Sequence, residues 1–250
     1  MFSYYSKLST EVYDIDKPIG HSFGDVEFYK KMLKGCKGKI LEPAVGTGRI
    51  LIPLLEEGLD IDGMDIADEM LSLCELHCEN RKLKPNLYKK NMKDFSLSMK
   101  YEAIILPTGS FLLINNRNES INALKCFYKH LLPNGRLVID IFLQNNLEVG
   151  SISTRTWEVN DRDLITMEEK LVKIDYINQY TVSHIKYEKW RDKKLIETEL
   201  EHFPLRWYGI EEFKLILESI GFKNITISSD YKYDKYPSKE SEIITFEAYR

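Results

Sequence analysis

The residues best suited to chemistry lie in one stretch of the 250-residue chain, ILEPAVGTGR at positions 40–49. An apolar strand end breaks there into a turn with Gly46 and Gly48, which let a ligand approach the backbone closely because no side chain intervenes. Glu42 stands just before the turn, where its charge would repel a diphosphate but would hold an ammonium group or a ribose hydroxyl. The stretch therefore indicates a nucleotide-like ligand that carries positive charge.

A second carboxylate follows at the end of the next apolar alternation, LDIDGMDI at positions 59–66. This pattern predicts a strand with Asp65 at its carboxyl end, seventeen positions after Gly48. A carboxylate at that place can accept both hydroxyls of a ribose. The alternative, an aspartate that only caps the following helix, suits Asp68 better than Asp65.

Together these segments resemble the class I S-adenosylmethionine-dependent methyltransferases of the small-molecule type, whose first motif is an acidic residue followed by x-G-x-G-x-G. The chain departs from that motif at Ala44, which replaces the first glycine. The pyrophosphate fingerprint G-x-G-x-x-G fails, because Leu51 stands where its third glycine belongs. The resemblance implies S-adenosyl-L-methionine as the cofactor, bound by Glu42, Pro43, Ala44, Gly46, Gly48, Arg49, Asp65, Ile66 and Met70.

Two later segments complete the predicted cofactor site. The run NMKDF at positions 91–95 resembles the adenine-binding segment of the family, whose first residue is usually Asp. Asn91 keeps an oxygen that can accept from the adenine amino group, and Met92 would form an apolar wall for the ring. Asp94 is a rival, although it would also suit a turn cap. Pro107 and Thr108 follow the fourth predicted strand and are expected beside the sulfonium.

The elements between these motifs predict an α/β fold with a seven-stranded, doubly wound sheet. Five strands alternate with helices, and strands at 223–229 and 242–249 must then form an antiparallel C-terminal hairpin because only a short polar stretch separates them. Residues 151–207 instead alternate with period two and predict an inserted antiparallel β meander. The expected division is a lid segment at 1–36, a methyltransferase core at 37–150 and 208–250, and the meander between them.

The lid segment and the meander supply the candidates for catalysis and substrate binding. Tyr13 is expected to close over the methionine end of the cofactor, with His184 and Tyr208 as further groups near the methyl. Arg206 could hold a carboxylate or phosphate of the substrate. The meander should shape either the substrate pocket or a homodimer contact. Packing is the alternative for each of these residues, since aromatic and His side chains on half-buried strands often only fill area.

The composition and charge of the chain indicate which partners and which cellular compartment to expect. A formal net charge of -4, with no run of five basic residues, argues against nucleic acid. No apolar run approaches the length of a membrane span and the first residues lack a signal pattern, so a cytoplasmic protein without membrane contact is expected. The four cysteines, at 36, 74, 78 and 126, lack zinc-site spacing, and no metal is expected.

The predicted function is methyl transfer from S-adenosyl-L-methionine to a small-molecule acceptor. A sulfonium methyl is already activated, so the enzyme mainly aligns the acceptor and excludes water. No acid–base dyad stands out, which favours an amine nitrogen over a hydroxyl, and the resemblance to sugar-amine and glycine-type N-methyltransferases agrees. Three alternatives stay open: a methyltransferase for RNA or protein, a nicotinamide-dependent Rossmann oxidoreductase, which Glu42 disfavours, and a non-catalytic binding module.

Overall fold

The computed structural model describes residues 5–144 and 147–250. The strands are β1 (Ile40–Pro43), β2 (Ile61–Asp65), β3 (Leu87–Lys89), β4 (Tyr101–Leu106), β5 (Leu131–Phe142), β6 (Ile152–Glu158), β7 (Asp163–Asp175), β8 (Tyr180–Arg191), β9 (Lys194–Arg206), β10 (Lys223–Ser229) and β11 (Ile243–Tyr249). The helices are α1 (Lys7–Asp16), α2 (Asp25–Met32), α3 (Leu51–Glu56), α4 (Asp68–Asn80), α5 (Arg117–His130) and α6 (Ile210–Ile220), with a 3₁₀ segment at Pro107–Leu113.

Seven strands form the central sheet in the order β10-β11-β5-β4-β1-β2-β3. The pairs β1·β2, β1·β4, β2·β3 and β4·β5 are parallel, whereas β11 runs antiparallel to both β5 and β10. The predicted seven-stranded sheet and its C-terminal hairpin are therefore confirmed. Its central strands read as continuous apolar runs because helices cover both faces. No helix in the described part of the chain is long and apolar enough to cross a membrane.

Each face of the sheet has its own apolar core. On one face, α5, α6 and the 3₁₀ segment bury Phe111, Phe127 and Phe213 against the strands. On the other face, α2, α3 and α4 bury a second cluster that includes Cys74 and Cys78. These two cores make the sheet doubly wound and leave the carboxyl ends of its parallel strands free to carry a site.

Residues after β5 form a separate four-stranded antiparallel sheet in the order β6-β7-β8-β9. The β8–β9 connection is a tight turn in which Asp192 and Lys193 both have positive φ, as a two-residue hairpin requires. The inserted meander is confirmed, with one more strand than the periodicity revealed. Most of β6 is exposed, so its sequence lacks the alternation that marked the other three strands.

Helix α1 packs on the inner face of the meander. Leu8 and Val12 of the helix form a small core with Ile165, Ile185 and Tyr187 of the meander. Two carboxylates of β9 complete the contact at the start of the helix: Glu199 accepts from the Leu8 amide at 2.8 Å, and Glu201 from the Ser6 amide at 3.1 Å. These acceptors satisfy amides that a helix start leaves without intrahelical partners. Helix α1 is thereby fastened to a sheet that is remote from it in sequence.

Candidate functional site

The loop after β1 has an unusual backbone. Ala44, Gly46 and Gly48 have φ values of 55°, 57° and 89°, all in the left-handed region. A Cβ added at Gly48 would lie 2.9 Å from the Cys74 sulfur, so this glycine lets α4 pack closely against the loop. Ala44 adopts the same conformation with a methyl group, at a cost of about 1 kcal/mol. The departure from the family motif at this position is therefore a strained one.

Asp65, at the end of β2, fixes this loop from the neighbouring strand. Its Oδ2 accepts from the Gly46 amide at 2.9 Å, and its Oδ1 accepts from the Ile66 and Ala67 amides at 2.7 and 3.0 Å. The side chain is largely buried, which raises the pKa of its carboxyl group above the usual value. A carboxylate has about four acceptor positions, so one is left toward the cavity described next.

A cavity opens at the carboxyl ends of the parallel strands, where sheets of this type bind ligands. Its empty volume is ≈ 920 Å³, solvent at the mouth included. The predicted residues that line it are Tyr13, Ala44, Gly46, Asp65, Ile66, Met70, Asn91 and Met92. The structure thus gathers residues from the lid segment and three separate loops around one space. Residues that the sequence did not single out complete the lining: Tyr5, Lys90, Lys93, Ser110, Leu113, Ile114, Asn115 and Glu119.

Glu42 and Arg49, both predicted to bind the cofactor, are not among the residues that line this cavity, and each has a buried polar atom without a hydrogen-bond partner among the described residues. Glu42 is only 3% exposed and its Oε2 is unpaired; burial raises the pKa of its carboxyl group well above the usual value, against the opposing charge of Arg49. Arg49 uses its two amino groups on Asp25, at 2.5 and 3.2 Å, and on the His21 carbonyl, while its Nε is unpaired. The guanidinium predicted to bind cofactor is thus mostly engaged by Asp25 and the His21 carbonyl, and its Nε has no partner among the described residues.

Tyr13 and Tyr5 form an aromatic part of the cavity wall. Their rings meet edge to face with centroids 6.1 Å apart. Burial raises the pKa of both phenols, although the Arg49 charge acts to lower that of Tyr13. Both hydroxyls therefore stay protonated at neutral pH, when they can donate hydrogen bonds but cannot take up a proton as bases.

The predicted adenine-binding segment reaches the cavity through Asn91 and Met92. Asn91 Oδ1 accepts from the Lys93 amide at 3.0 Å, which orients its side chain and leaves a second lone pair free. Asp94, the rival for this role, does not line the cavity. Lys93 forms an ion pair at 2.8 Å with Glu119 at the rim, where both side chains are partly exposed.

The segment after β4 contributes to the cavity, but not through the residues predicted. Pro107 and Thr108 lie outside the lining, because Thr108 and Gly109 turn the chain through two left-handed conformations with φ of 54° and 69°. The turn brings Ser110 and Leu113 to the cavity wall instead. Pro43 and Gly48 of the β1 loop are likewise buried outside the lining.

The remaining candidates, His184, Tyr208 and Arg206, are not among the residues that line the cavity. Ile185 of β8 packs toward α1, and since side chains alternate along a strand, His184 lies on the opposite face of the meander. The Tyr208 hydroxyl is 2.7 Å from the Ser120 hydroxyl in the core. Arg206 is 2% exposed and donates from Nε to the Asn115 carbonyl at 3.1 Å, while its Nη1 has no partner among the described residues.

Several of the lining residues that the sequence did not single out share one structural reason. Ser110, Asn115 and Glu119 lie in or beside connections whose direction depends on the turn at Thr108 and Gly109. Tyr5 belongs to the aromatic lid segment, and that aromatic density was the one signal that pointed to it. Asp25 gave no signal at all, because its partner Arg49 lies 24 positions away.

Comparison with known proteins shows that this chain is similar to methyltransferases and shares their fold. Residues 40–135 match the family model described as a methyltransferase domain. The chain is 24% identical over 215 residues to YqeM of Bacillus subtilis (strain 168), whose name assigns it provisionally to the methyltransferases; the match covers 85% of this chain and 84% of that protein. It is 26% identical, over 83% of this chain and 71% of the relative, to a glycine/sarcosine N-methyltransferase of Parasynechococcus marenigrum (strain WH8102). The X-ray structure of the sugar N-methyltransferase KedS8 from Streptoalloteichus superposes with a TM-score of 0.76 at 21% identity, covering 100% of this chain and 97% of that one.

Proposed function

We propose that the chain is a class I S-adenosylmethionine-dependent methyltransferase and that it methylates the amine nitrogen of a small molecule that also carries an anionic group. The assignment of S-adenosyl-L-methionine as the cofactor rests on two buried atoms without hydrogen-bond partners, Glu42 Oε2 and Arg49 Nε. The first can accept from an ammonium group and the second can donate to a carboxylate. An α-amino acid end offers both groups.

The residues that line the cavity fit the nucleoside part of the cofactor. Asp65 keeps an acceptor position for a ribose hydroxyl, Asn91 keeps a lone pair for the adenine amino group, and Met92 and Ile66 offer apolar surface to the ring. When bound, S-adenosyl-L-methionine supplies a methyl carbon already activated by the sulfonium. The residues of this chain therefore need to bind, align and exclude water rather than to activate the methyl group.

The tyrosines of the wall support an amine as the acceptor. With the pKa of Tyr5 and Tyr13 raised by burial, both hydroxyls donate hydrogen bonds and neither removes a proton from an alcohol. A neutral amine attacks with its lone pair and loses its proton afterwards, so it needs no base in that step. The names of two similar proteins, a glycine/sarcosine and a sugar N-methyltransferase, agree with this choice.

Arg206 supports an anionic group on the acceptor. Burial lowers the pKa of this guanidinium, no carboxylate pairs with it among the described residues, and its Nη1 is unpartnered. It lies against the carbonyl of Asn115, a residue of the cavity wall. A buried cation without a counter-ion is costly and would gain from a carboxylate or phosphate of the acceptor.

Calorimetry with a product and a fragment tests the cofactor assignment. Glu42→Gln should weaken binding of S-adenosylhomocysteine about tenfold, because a charge-assisted hydrogen bond to the ammonium group is lost. Binding of 5′-methylthioadenosine, which lacks the amino acid end, should stay unchanged and serves as the control. Equal losses for both ligands would contradict the placement of the amino acid end at Glu42.

A panel of acceptors tests the substrate class. Amines with a carboxylate or phosphate, such as glycine, sarcosine and amino-sugar nucleotides, should be methylated, and matched uncharged amines should react at least tenfold more slowly in kcat/KM. Arg206→Gln should raise the KM of the anionic amines, whereas Arg117→Gln, which removes an exposed arginine paired with Glu212, should not. Equal rates for charged and uncharged amines would refute the anionic requirement.

We also propose a cytoplasmic location and keep the homodimer as a prediction. All four cysteines are free thiols, as a reducing compartment allows. The acidic net charge of -4 supports the expectation that nucleic acid is not a partner. Light scattering on the purified protein tests the dimer, and retention on heparin at moderate salt would argue for the alternative of an RNA substrate.

A further inference from the structure

Asp140 is a buried carboxylate that the proposed reaction does not use. It lies near the end of β5, is 0% exposed, and forms no ion pair among the described residues. In the parallel pairing of β4 and β5, Ile139 is the partner of Leu106, so Asp140 lies beside the first residues after β4. A carboxylate buried without a cation is expensive, and its position therefore calls for an explanation.

Three donors from distant parts of the chain converge on Asp140. Its Oδ2 accepts from the Thr108 amide at 2.9 Å and from the Tyr231 hydroxyl at 3.2 Å, and its Oδ1 accepts from the Thr245 hydroxyl at 2.6 Å. All three of these neighbours donate, and the carboxylate accepts from each of them. The two hydroxyls come from the C-terminal hairpin and its loop, so the Thr108 amide is the one of these three donors that belongs to the turn after β4.

The hydrogen bond from the Thr108 amide to Asp140 holds the 107–109 turn in a conformation that is unfavourable by itself. Thr108 is a β-branched residue with φ of 54° and ψ of 28°, a conformation that costs about 1–3 kcal/mol outside glycine. Phe142, two residues after Asp140 on the same face of β5, lies over the next residue: a Cβ at Gly109 would come within 2.7 Å of its ring. Strand β5 therefore supplies both a hydrogen-bond anchor and a steric limit for this turn.

The turn decides where the following residues go. Ser110, Leu113 and Ile114 line the cavity directly after it. We infer that Asp140 is a positioning residue that holds the 107–109 turn in its left-handed form and thereby sets the cavity wall made by these three residues. The inference rests on the proposed function in one respect only, that this cavity binds the cofactor.

Two substitutions of Asp140 distinguish the effect of its hydrogen bonds from the effect of its side-chain size. Asp140→Asn keeps an oxygen for the Thr108 amide and can donate its NH2 to the Thr245 hydroxyl, whereas Asp140→Leu has a similar size and accepts nothing. We expect Asp140→Leu to bind S-adenosylhomocysteine at least tenfold more weakly and to exchange the Thr108 amide at least tenfold faster. Asp140→Asn should stay within about threefold of the wild type in both measurements. Thr245→Val, which removes a different donor and spares the Thr108 contact, is the matched control and should also stay within threefold.

Wild-type binding and exchange with Asp140→Leu, or equal losses in Asp140→Asn and Asp140→Leu, would overturn the inference. Should Asp140→Leu fail to fold, Asp140→Asn decides: retained affinity and retained Thr108 protection support the inference, and loss of either while folded overturns it. Amide exchange is measured without ligand. Failure of the wild type to bind S-adenosylhomocysteine would therefore refute the cofactor assignment, while the exchange data would still judge the role of Asp140.

Discussion

The loops after β1 and β4 are built alike. These two strands are neighbours at the centre of the sheet, and each ends in a turn with a non-glycine residue in the left-handed region, Ala44 in one and Thr108 in the other. Each turn donates a backbone amide to an aspartate on the outer flanking strand, Gly46 to Asp65 and Thr108 to Asp140, both at 2.9 Å. The same arrangement thus holds two of the loops that form the cavity.

The two aspartates differ in what else they can reach. Asp65 is 8% exposed, lines the cavity and has an acceptor position to spare, whereas Asp140 is 0% exposed and its other donors are the hydroxyls of Thr245 and Tyr231. A carboxylate that anchors a loop from the edge of a cavity can also bind a ligand. The Asp140 carboxylate is fully buried, so it can influence the cavity only through the loop after β4 that it holds.

The largest expected effect concerns the aspartate at the cavity. Asp65→Ala should weaken the binding of S-adenosylhomocysteine by up to about 3 kcal/mol, because a ribose hydroxyl and the Gly46 amide lose their acceptor together. Titration calorimetry measures the change in affinity, with Asp68→Ala as the control, since Asp68 is exposed and forms an ion pair with the exposed Lys89. If Asp65→Ala bound S-adenosylhomocysteine as tightly as the wild type, Asp65 would not contact the ligand and would not differ from Asp140 in this respect.

The buried aspartate should appear in the pH dependence of stability. Burial raises the pKa of Asp140 from 3.8 to about 6, with Tyr29 and Tyr231 as the titratable groups facing it. The folded state therefore takes up a proton before the unfolded state does, so Asp140 adds stability as the pH falls through 6 toward 4. Relative to Asp140→Asn, the free energy of unfolding of the wild type should rise by about 2 kcal/mol between pH 7 and pH 4. Urea unfolding at both pH values measures the difference, and a constant difference would contradict the shift.

The smallest effect compares the two strained residues. Ala44→Gly and Thr108→Gly should each raise the free energy of unfolding by about 0.5–1 kcal/mol, the left-handed penalty relieved minus the entropy that glycine loses on folding. Asn134→Gly is the control, because Asn tolerates its φ of 61° and should gain little. Destabilisation at Thr108 alone would show that its side chain, and not only its amide, supports the β4 loop.

Sequence patterns revealed the first of these loops and not the second. Glu42, Asp65 and the hairpin are recognisable because their signals are local: a strand end, a glycine turn, a short connection. Asp140 is a single polar residue in an apolar run, and its donors lie at positions 108, 231 and 245, which no local pattern connects.

The sequence also could not show which face of the meander is directed toward the rest of the molecule. The alternation of β8 shows that His184 and Ile185 lie on opposite faces, but not which face meets the rest of the molecule. That choice depends on α1, whose Leu8 and Val12 cover the side with Ile185. Arg49 is a similar case, since its partner Asp25 reaches it only when α2 packs against the sheet.

The fastening of α1 to the meander has a consequence for how the protein tolerates cleavage. The helix is retained by its apolar contacts and by Glu199 and Glu201, not by the connection at 17–24 that leads to α2. A protease cut within that connection should leave the helix in place as a noncovalent fragment. Tyr13 would then remain at the cavity, and a synthetic peptide carrying the helix could restore a truncated chain by complementation.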